Sequence, residues 1–588
     1  MNNIQEAILK SQLNDLVKQK KYTHSVRLCS QLLTLNPKDT HTWFIFGQIQ
    51  QALNKPEQAV KALINAGQSK SDIAIQALKL AVEICLKHEI LTLGFLAAQA
   101  LTKFNPDNAK ALYHHGLFSA SLDLDYLACI NFDKAIKLES DNKNYRVAYA
   151  KSLTHTGEIT KSLAEYDAAI KLDSSNANAI YCSAFTHNYS DKVLEDKVFQ
   201  VHKELGECIE SKFPIVEAFK KRAKSKRIKI AYLSKDLLVH SVTFFFLALI
   251  KHYNVNKFEI FCYADLPPEK ADDMSEKIKS YNVHWMHCDD MSDQQLYKQI
   301  RNDEIDILVD LQGLTGVPRS SVFAMKAAPI QVNYLGYPNT SGFSRMDYRI
   351  VDNWTDPEGL TEQYNTETLL RLPSGFLCYS PELPSTLITP PPALSLNKIT
   401  FGSFNVFPKI TESMLLNWVE ILNRVPNSQL LVKAKFFKEQ QNQKKIEHFF
   451  EAKGINKDRL ILKATIFDKK EHIELYNQVD IHLDTAPYNG TTTTCEALWQ
   501  GVPTVTLAGS NHRSRVGCSI LQQVGLEDYI ATSSQEYIDI AVSKASNLKQ
   551  LEELRSGMRN KLQSSLLFDE KLFINELEAE YLKAYNLL

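Results

Sequence analysis

A 34-residue echo in the first third of the chain restricts its folding more than any other feature. The segments beginning Phe104-Asn105-Pro106, Leu138-Glu139-Ser140 and Leu172-Asp173-Ser174 follow one another at 34 and 34 residues, and Leu35-Asn36-Pro37 lies 69 residues before the first, close to twice that period. Small residues keep the same register: Gly47, Gly116, Ala150 and Ala184, with Ala135 and Ala169 inside the near-identical stretches FDKAIKL and YDAAIKL. Apolar residues recur at three- and four-residue spacing over residues 1–190, which predicts helices. A period of this length encodes two helices and a turn per unit, and a unit that cannot bury its apolar face alone stacks on its neighbours. Four or five units are expected over 1–190, with the one around 70–103 degenerate.

From Arg227 the pattern changes. RIKIAYLS, FEIFCYAD, IDILVDLQG, IQVNYLGYP and YRIVDN are short β-branched runs separated by helical stretches, the alternation of a parallel α/β sheet. The proline-rich YSPELPSTLITPPPALSLN then reads as an extended linker. A second series follows in ITFGSF, SQLLVKAK, RLILKA, DIHLDTA and PTVTLAG. The expected organisation is a repeat array over 1–190, a helical linker over 191–225, a first Rossmann-like domain over 226–395, and a second over 396–588 with C-terminal helices.

Composition narrows the partners. Lys+Arg is 67 and Asp+Glu 68, so no net positive field draws the chain to nucleic acid or anionic membranes. The ten cysteines are scattered without a C-x-x-C pair, against a disulfide framework or structural zinc. The apolar run Val242–Ile250 falls short of a membrane span. A cytoplasmic location is expected, with no metal and no cofactor. His284, His287 and Cys288 in NVHWMHCDD are too crowded for a metal site, and the basic pairs at Lys220-Lys221-Arg222 and Lys224-Lys226-Arg227 read as a solvated linker.

Neither G-x-G-x-x-G nor G-x-x-x-x-G-K-[ST] is present, which removes most of the weight from dehydrogenase and P-loop readings. DIHLDTAPYNGTTTTCEALWQGVPTVTLAG instead places a Gly-Thr turn between a strand and a helix opening near Thr492. Free N–H groups, the positive helix end and the hydroxyls of Thr491, Thr492, Thr493 and Thr494 suit a phosphate, unless the threonines only cap the helix. Glu496, in the first turn, would accept from ribose hydroxyls. In FGSFNVFPKIT, Lys409 follows a strand end, where a cation stabilises a leaving diphosphate, although an isolated lysine is more simply a solvated surface charge. In YLSKDLLVHSVTFFF, His240 precedes an apolar helix and can donate to a diphosphate, accept a proton, or merely cap.

Taken with IDILVDLQGLTG, APIQVNYLGYPNTSGFSRMDYRIVD and RLPSGFLCY, these motifs in this order resemble the catalytic region of the protein O-GlcNAc transferase and SPINDLY family over about residues 225–530. The preceding repeat resembles the tetratricopeptide class. The resemblance implies an α plus α/β chain, tetratricopeptide helices followed by a GT-B pair of Rossmann-like domains, the first (226–395) on the acceptor side and the second (396–588) on the nucleotide-sugar side. It implies an inverting, metal-independent transfer of a sugar from a nucleotide diphosphate to Ser or Thr of proteins. Lys409 matches the lysine on the donor diphosphate; Gly490, Thr491, Thr492 and Thr493 the phosphate turn; Glu496 the acid that holds the ribose. His472, 19 residues before Thr491, matches a histidine beside the base, and His240 one facing the sugar diphosphate. The catalytic pair is then His240 and Lys409.

Leu314 stands where many relatives carry histidine, and Leu475 where the animal enzymes carry arginine. FGSFN, LVKAK and GTTTTCE are closer to SPINDLY, whereas SRVG at 514–517 resembles the O-GlcNAc transferases. UDP-GlcNAc is favoured as donor over GDP-fucose. His187 and His202 both remain open as the general base. The expected partners are an acceptor protein and a peptide or protein on the repeat surface, with no nucleic acid and no membrane span. A GT-B enzyme with a glycan or lipid acceptor and a non-catalytic scaffold are the rival readings.

Overall fold

The computed structural model describes residues 2–214, 219, 227–316, 319–381, 384 and 386–587. The basic residues at 220–226 therefore lie outside the described residues, as do residues 382, 383 and 385 of the proline-rich stretch. Two compact units divide the chain, Met1–Asp173 and Ser174–Leu588.

In the first unit the described helices form five consecutive pairs: Asn2–Lys18 with Tyr22–Leu35, Thr40–Ala52 with Pro56–Ala66, Asp72–Lys87 with Leu91–Phe104, Ala109–Ser121 with Asp125–Leu138, and Lys143–His155 with Ile159–Leu172. The stretch around 70–103 that reads as degenerate in sequence is a full pair. Ala77, Ala81, Ala97 and Ala98 are fully buried there, so its small residues do the packing without matching the repeat register. The glycines mark helix crossings. A Cβ at Gly116 would lie 2.4 Å from the Phe132 ring, and one at Gly47 2.5 Å from Leu63.

The second unit begins with helices Ala177–His187 and Glu195–Glu210. Ala184 keeps the repeat register in sequence, yet its helix packs with this unit, and Ala184 joins the core of Leu205, Leu308 and Phe343. The unit holds two wholly parallel sheets. The first orders its strands β3-β2-β1-β4-β5-β6-β7, from β1 (Ile228–Ser234), β2 (Phe258–Ala264), β3 (Val283–His287), β4 (Ile307–Asp310), β5 (Ile330–Asn333), β6 (Tyr348–Asp352) and β7 (Thr368–Leu372). The second orders β10-β9-β8-β11-β12-β13, from β8 (Ile399–Ser403), β9 (Ser428–Lys433), β10 (Leu460–Lys463), β11 (Ile481–Leu483), β12 (Thr504–Leu507) and β13 (Ile530–Ala531). Each sheet reverses its order once, between β1 and β4 and between β8 and β11, and ligands bind such sheets at the strand ends flanking the reversal.

Three strands are additional to those read from sequence: β3, β7 and the two-residue β13. The NVHWMH stretch is β3, where His284 meets Glu259 and His287 Nδ1 donates to the Leu266 carbonyl. The proline-rich connection contains a short helix, Ala393–Leu396.

The lobes are joined by side chains as well as by chain. Asp356 accepts from His512 Nδ1 at 2.5 Å and Asp352 from the Ser519 hydroxyl at 2.6 Å. The C-terminal helix Glu570–Asn586 returns to the first lobe, with Glu578 accepting from the Asn254 amide and Glu576 from Ser374. The segment between the linker helices touches both lobes: Asn188 bonds Tyr337 and Asn339, and Glu195 forks onto Arg513 at 2.9 and 2.5 Å. Gly206 and Gly342 let the linker backbone approach, since a Cβ on Gly206 would lie 1.9 Å from the Gly342 carbonyl oxygen.

Candidate functional site

At the reversal of the second sheet, the carboxyl ends of β8 and β11 lie side by side. The loop after β11 is shaped by Asp484. Its Oδ1 accepts from the amides of Thr485 at 2.8 Å and Gly490 at 2.6 Å, and Oδ2 accepts from the Thr506 hydroxyl at 2.8 Å. Full burial raises the pKa of this carboxyl. The chain then turns at Gly490 into helix Thr492–Trp499. A Cβ at Gly490 would lie 2.4 Å from the Thr493 hydroxyl and 2.9 Å from Asn405 Oδ1, so the turn excludes a side chain. Thr493 Oγ1 donates to Asn405 Oδ1 at 3.1 Å, and Thr494 Oγ1 to the Gly490 carbonyl at 3.3 Å. Among the described residues no hydrogen bond engages the hydroxyls of Thr491 and Thr492, and Asn405 Nδ2 is buried without a partner. The helix start therefore offers free donors and its positive end toward the crevice.

Lys409 ends the turn Phe407–Lys409 that follows β8. Its Nζ donates to the Asn489 carbonyl at 2.7 Å and lies 3.7 Å over the Tyr488 ring. The side chain is half-buried, not the solvated charge an isolated lysine implies. Burial lowers its pKa, opposed by Asp484. A cation held one residue from Gly490 and a helix N-terminus form one positive corner.

A second cluster adjoins it. Glu496 is in the second turn of its helix, one residue beyond the first turn expected from sequence, and Oε2 accepts from His472 Nε2 at 3.1 Å and the Tyr476 hydroxyl at 3.3 Å. Lys433, at the carboxyl end of β9, donates to His472 Nδ1 at 2.9 Å. With Nδ1 accepting, the ring hydrogen is on Nε2 and points to Glu496. Burial pushes the Lys433 pKa down to about 8, opposed by Glu496.

His240 belongs to the other lobe. Its Nδ1 accepts from the Val242 amide at 3.3 Å and lies 3.8 Å from Asp236 Oδ2. Burial lowers its pKa, with Asp236 opposing. The helix it precedes, Thr243–His252, meets the second lobe where Lys469 Nζ lies 4.7 Å over the Phe244 ring, three residues before His472. The structure thus brings Lys409 to Gly490, Thr491, Thr492 and Thr493, and His472 to Glu496, while the described contacts of His240 stay in its own lobe. His187 and His202 are both buried, each Nδ1 donating one helical turn back, to the carbonyls of Ser183 and Val198 at 2.7 Å. His202 Nε2 then accepts from Tyr337 at 2.6 Å, and burial lowers its pKa to about 3. Leu314 and Leu475 are both buried in apolar cores. Among the described residues no group of three His, Cys, Asp or Glu could hold a metal ion.

Asn405, Lys433, Tyr476 and Asp484 escape the sequence reading. Asn405 and Lys433 lie inside the quoted FGSFN and LVKAK runs, and a polar residue just past a β-branched run is the available signal. Nothing local marks Tyr476.

The chain matches the model of glycosyl transferase family 41 over residues 197–380 and 390–577. It is 36% identical over 419 residues to a rice (Oryza sativa subsp. japonica) protein named probable UDP-N-acetylglucosamine–peptide N-acetylglucosaminyltransferase SPINDLY, covering 71% of this chain and 45% of that one. The Arabidopsis thaliana protein of the same name is 36% identical over 416 residues, covering 70% and 45%. The chain thus spans less than half the length of these curated relatives. A solved structure of a mutant Thermobaculum terrenum O-GlcNAc transferase superposes with a TM-score of 0.79 at 27% identity, covering 87% of this chain and 97% of that one. Among the described residues no helix is long and apolar enough to cross a membrane.

Proposed function

The chain belongs to glycosyl transferase family 41, and on that premise we propose that it transfers N-acetylglucosamine from UDP-GlcNAc to Ser or Thr hydroxyls of proteins. The observation carrying this reading is the positive corner made by Lys409 Nζ, 2.7 Å from the Asn489 carbonyl, and the start of helix Thr492–Trp499. As the sugar–phosphate bond breaks, negative charge grows on the departing diphosphate. A preorganised cation and free N–H groups stabilise that charge more than the ground state. Positive charge of the kind a divalent cation supplies elsewhere comes here from the chain itself, and the reading requires no cofactor.

The remaining roles are those that the family resemblance implies. Glu496 Oε2 is taken by His472 and Tyr476, which leaves Oε1 for ribose hydroxyls. His472 lies on the base side, and His240 reaches the sugar diphosphate from the first lobe. The acceptor hydroxyl attacks the anomeric carbon from the face opposite the diphosphate, with inversion. The stacked helix pairs of the first unit offer an extended surface for a protein partner. A cytoplasmic location agrees with ten free cysteines, as thiols persist in reducing compartments.

The test is transfer itself. Purified protein with UDP-GlcNAc and a denatured proteome should release UDP and leave N-acetylhexosamine on Ser or Thr, read by mass spectrometry, with the rate unaltered by a chelator. Transfer from GDP-fucose alone would move the donor assignment to fucose. Modification of glycans or lipids without modified protein would replace the acceptor.

A further inference from the structure

We propose that Lys433 is a specificity-determining residue of the nucleotide site, selecting donors whose base presents a ring carbonyl, uracil or guanine, over those presenting an exocyclic amine, cytosine or adenine. The inference rests on reading the site as one for a nucleoside diphosphate sugar.

The first support is placement. Three groups follow one another along the crevice. The turn at Gly490 with Lys409 is the corner for phosphates. Glu496, four residues past the start of helix Thr492–Trp499, is the carboxylate for a ribose. His472 and then Lys433 are bonded in series to Glu496 at 3.1 and 2.9 Å, and Lys433 ends β9, which β8 separates from β11, the strand that leads into the turn. A nucleotide whose diphosphate occupies the first group and whose ribose reaches the second carries its base to the third.

The second support is an incomplete set of partners. Lys433 Nζ has three hydrogens to donate. One goes to His472 Nδ1, and the Phe404 ring lies 5.5 Å away. Among the described residues no carboxylate forms an ion pair with this ammonium, although it is half-buried. A desolvated cation whose attracting carboxylate, Glu496, is reached only through the His472 ring is costly, and that cost falls when a ligand brings acceptors. The depressed basicity of Lys433 has the same origin.

The chemistry of the bases supplies the selection. An ammonium only donates. Uracil offers O4 and guanine offers O6, both acceptors, where cytosine N4 and adenine N6 are themselves donors, while N7 is common to both purines and does not discriminate. A donor facing a donor leaves both unpaired where they are half-buried, and such mismatches are rejected more strongly than a change of size. Each hydrogen of the ammonium can turn to meet either carbonyl base. The site is thereby keyed to the class of base while its size preference is set elsewhere.

The experiment is a binding panel with UDP, CDP, GDP and ADP on the full chain by calorimetry, using wild type, Lys433→Met and Lys433→Arg. The wild type should bind UDP over CDP, or GDP over ADP, by about tenfold or more. Lys433→Met should collapse that ratio to within about threefold, and Lys433→Arg should retain it. Equal weakening of all four nucleotides by Lys433→Met would assign the lysine to ribose or phosphate and overturn the proposal, as would an unchanged ratio. A wild type that does not discriminate overturns it without any variant, should Lys433→Met fail to fold. Binding of none of the four would instead overturn the reading of the whole site.

Discussion

The two lobes have the same strand order around their reversals, and they use the resulting crevices differently. At the carboxyl ends of β8 and β11 the loops bring together Lys409 and the turn before Thr491 and Thr492, whose hydroxyls no hydrogen bond engages among the described residues, with Lys433 at the end of the neighbouring β9. At the first sheet's reversal the loop after β4 is closed by protein. Asp310 accepts from the amides of Gln312 and Gly313 at 2.9 Å, and Tyr181 from the linker helix Ala177–His187 donates to the carbonyls of Leu314 and, at 2.8 Å, Gly316. Topology makes a crevice twice; the side chains decide whether its polar groups are taken up by a neighbouring helix or left free. The linker is therefore built into the Ser174–Leu588 unit, and Lys409 and Lys433 belong to its second lobe.

The difference is broken most severely from the linker side. Arg513 is 1% exposed and its fork to Glu195 is its one carboxylate among the described residues. Glu195→Ala leaves a buried guanidinium uncompensated, at a cost of about 3–5 kcal/mol. The transition of the Ser174–Leu588 unit should fall by roughly 5 °C in calorimetry. Asp191→Ala, which removes only the exposed bond to Ser413 at 2.6 Å, should change it by less than about 1 kcal/mol. Equal effects of the two would mean that the linker does not hold the lobes.

On the chemical side, Lys409→Met should lower transfer by about 10²–10³-fold, the scale of one preorganised group at a developing anion. The fold should be retained, because the substitution removes a half-buried cation and keeps its packing. Weakened substrate affinity with unchanged turnover would place Lys409 in ground-state binding instead.

These contrasts explain what was legible in sequence. The repeat was visible because helix crossings demand small residues at a fixed interval, as at Gly47 and Gly116. The second lobe was visible because its Gly-Thr turn and strand-end lysine are local patterns. The linker was not: Ala184 keeps the repeat register while its helix packs on Leu308 and Phe343, more than a hundred residues away. Edge strands were missed for a related reason. β3 is VHWMH, with two histidines and a half-exposed pattern, and β13 has two residues, so neither shows the apolar run that marks a buried strand. Glu496 is legible as an acid on the helix after the Gly-Thr turn, but its partners His472 and Tyr476 come from other elements, and side-chain networks of that kind carry no sequence spacing.

The smallest effect concerns pH and isolates Lys433 from Lys409. Burial lowers the folded-state pKa of Lys433 to about 8, against an ordinary lysine value near 10.4. Below pH 8 both folded and unfolded chains hold the proton, and the folded state bears the full cost of a desolvated cation. Between about 8 and 10.4 the unfolded chain holds more protons than the folded one, so stability rises with pH across that window. Nucleotide binding should move the opposite way, weakening as pH passes 8, because the lost proton is the charge and one of the donors. Lys409 and other buried groups titrate in the same region. The measurement is therefore the difference in melting temperature between wild type and Lys433→Met at pH 7.5, 8.5 and 9.5, with and without UDP. Without nucleotide, the variant's advantage should shrink as pH rises. With saturating nucleotide the order reverses at pH 7.5, and the wild type's gain should decline toward pH 9.5. A difference constant over this range in both series would mean that Lys433 is neither desolvated in the free protein nor used by the ligand.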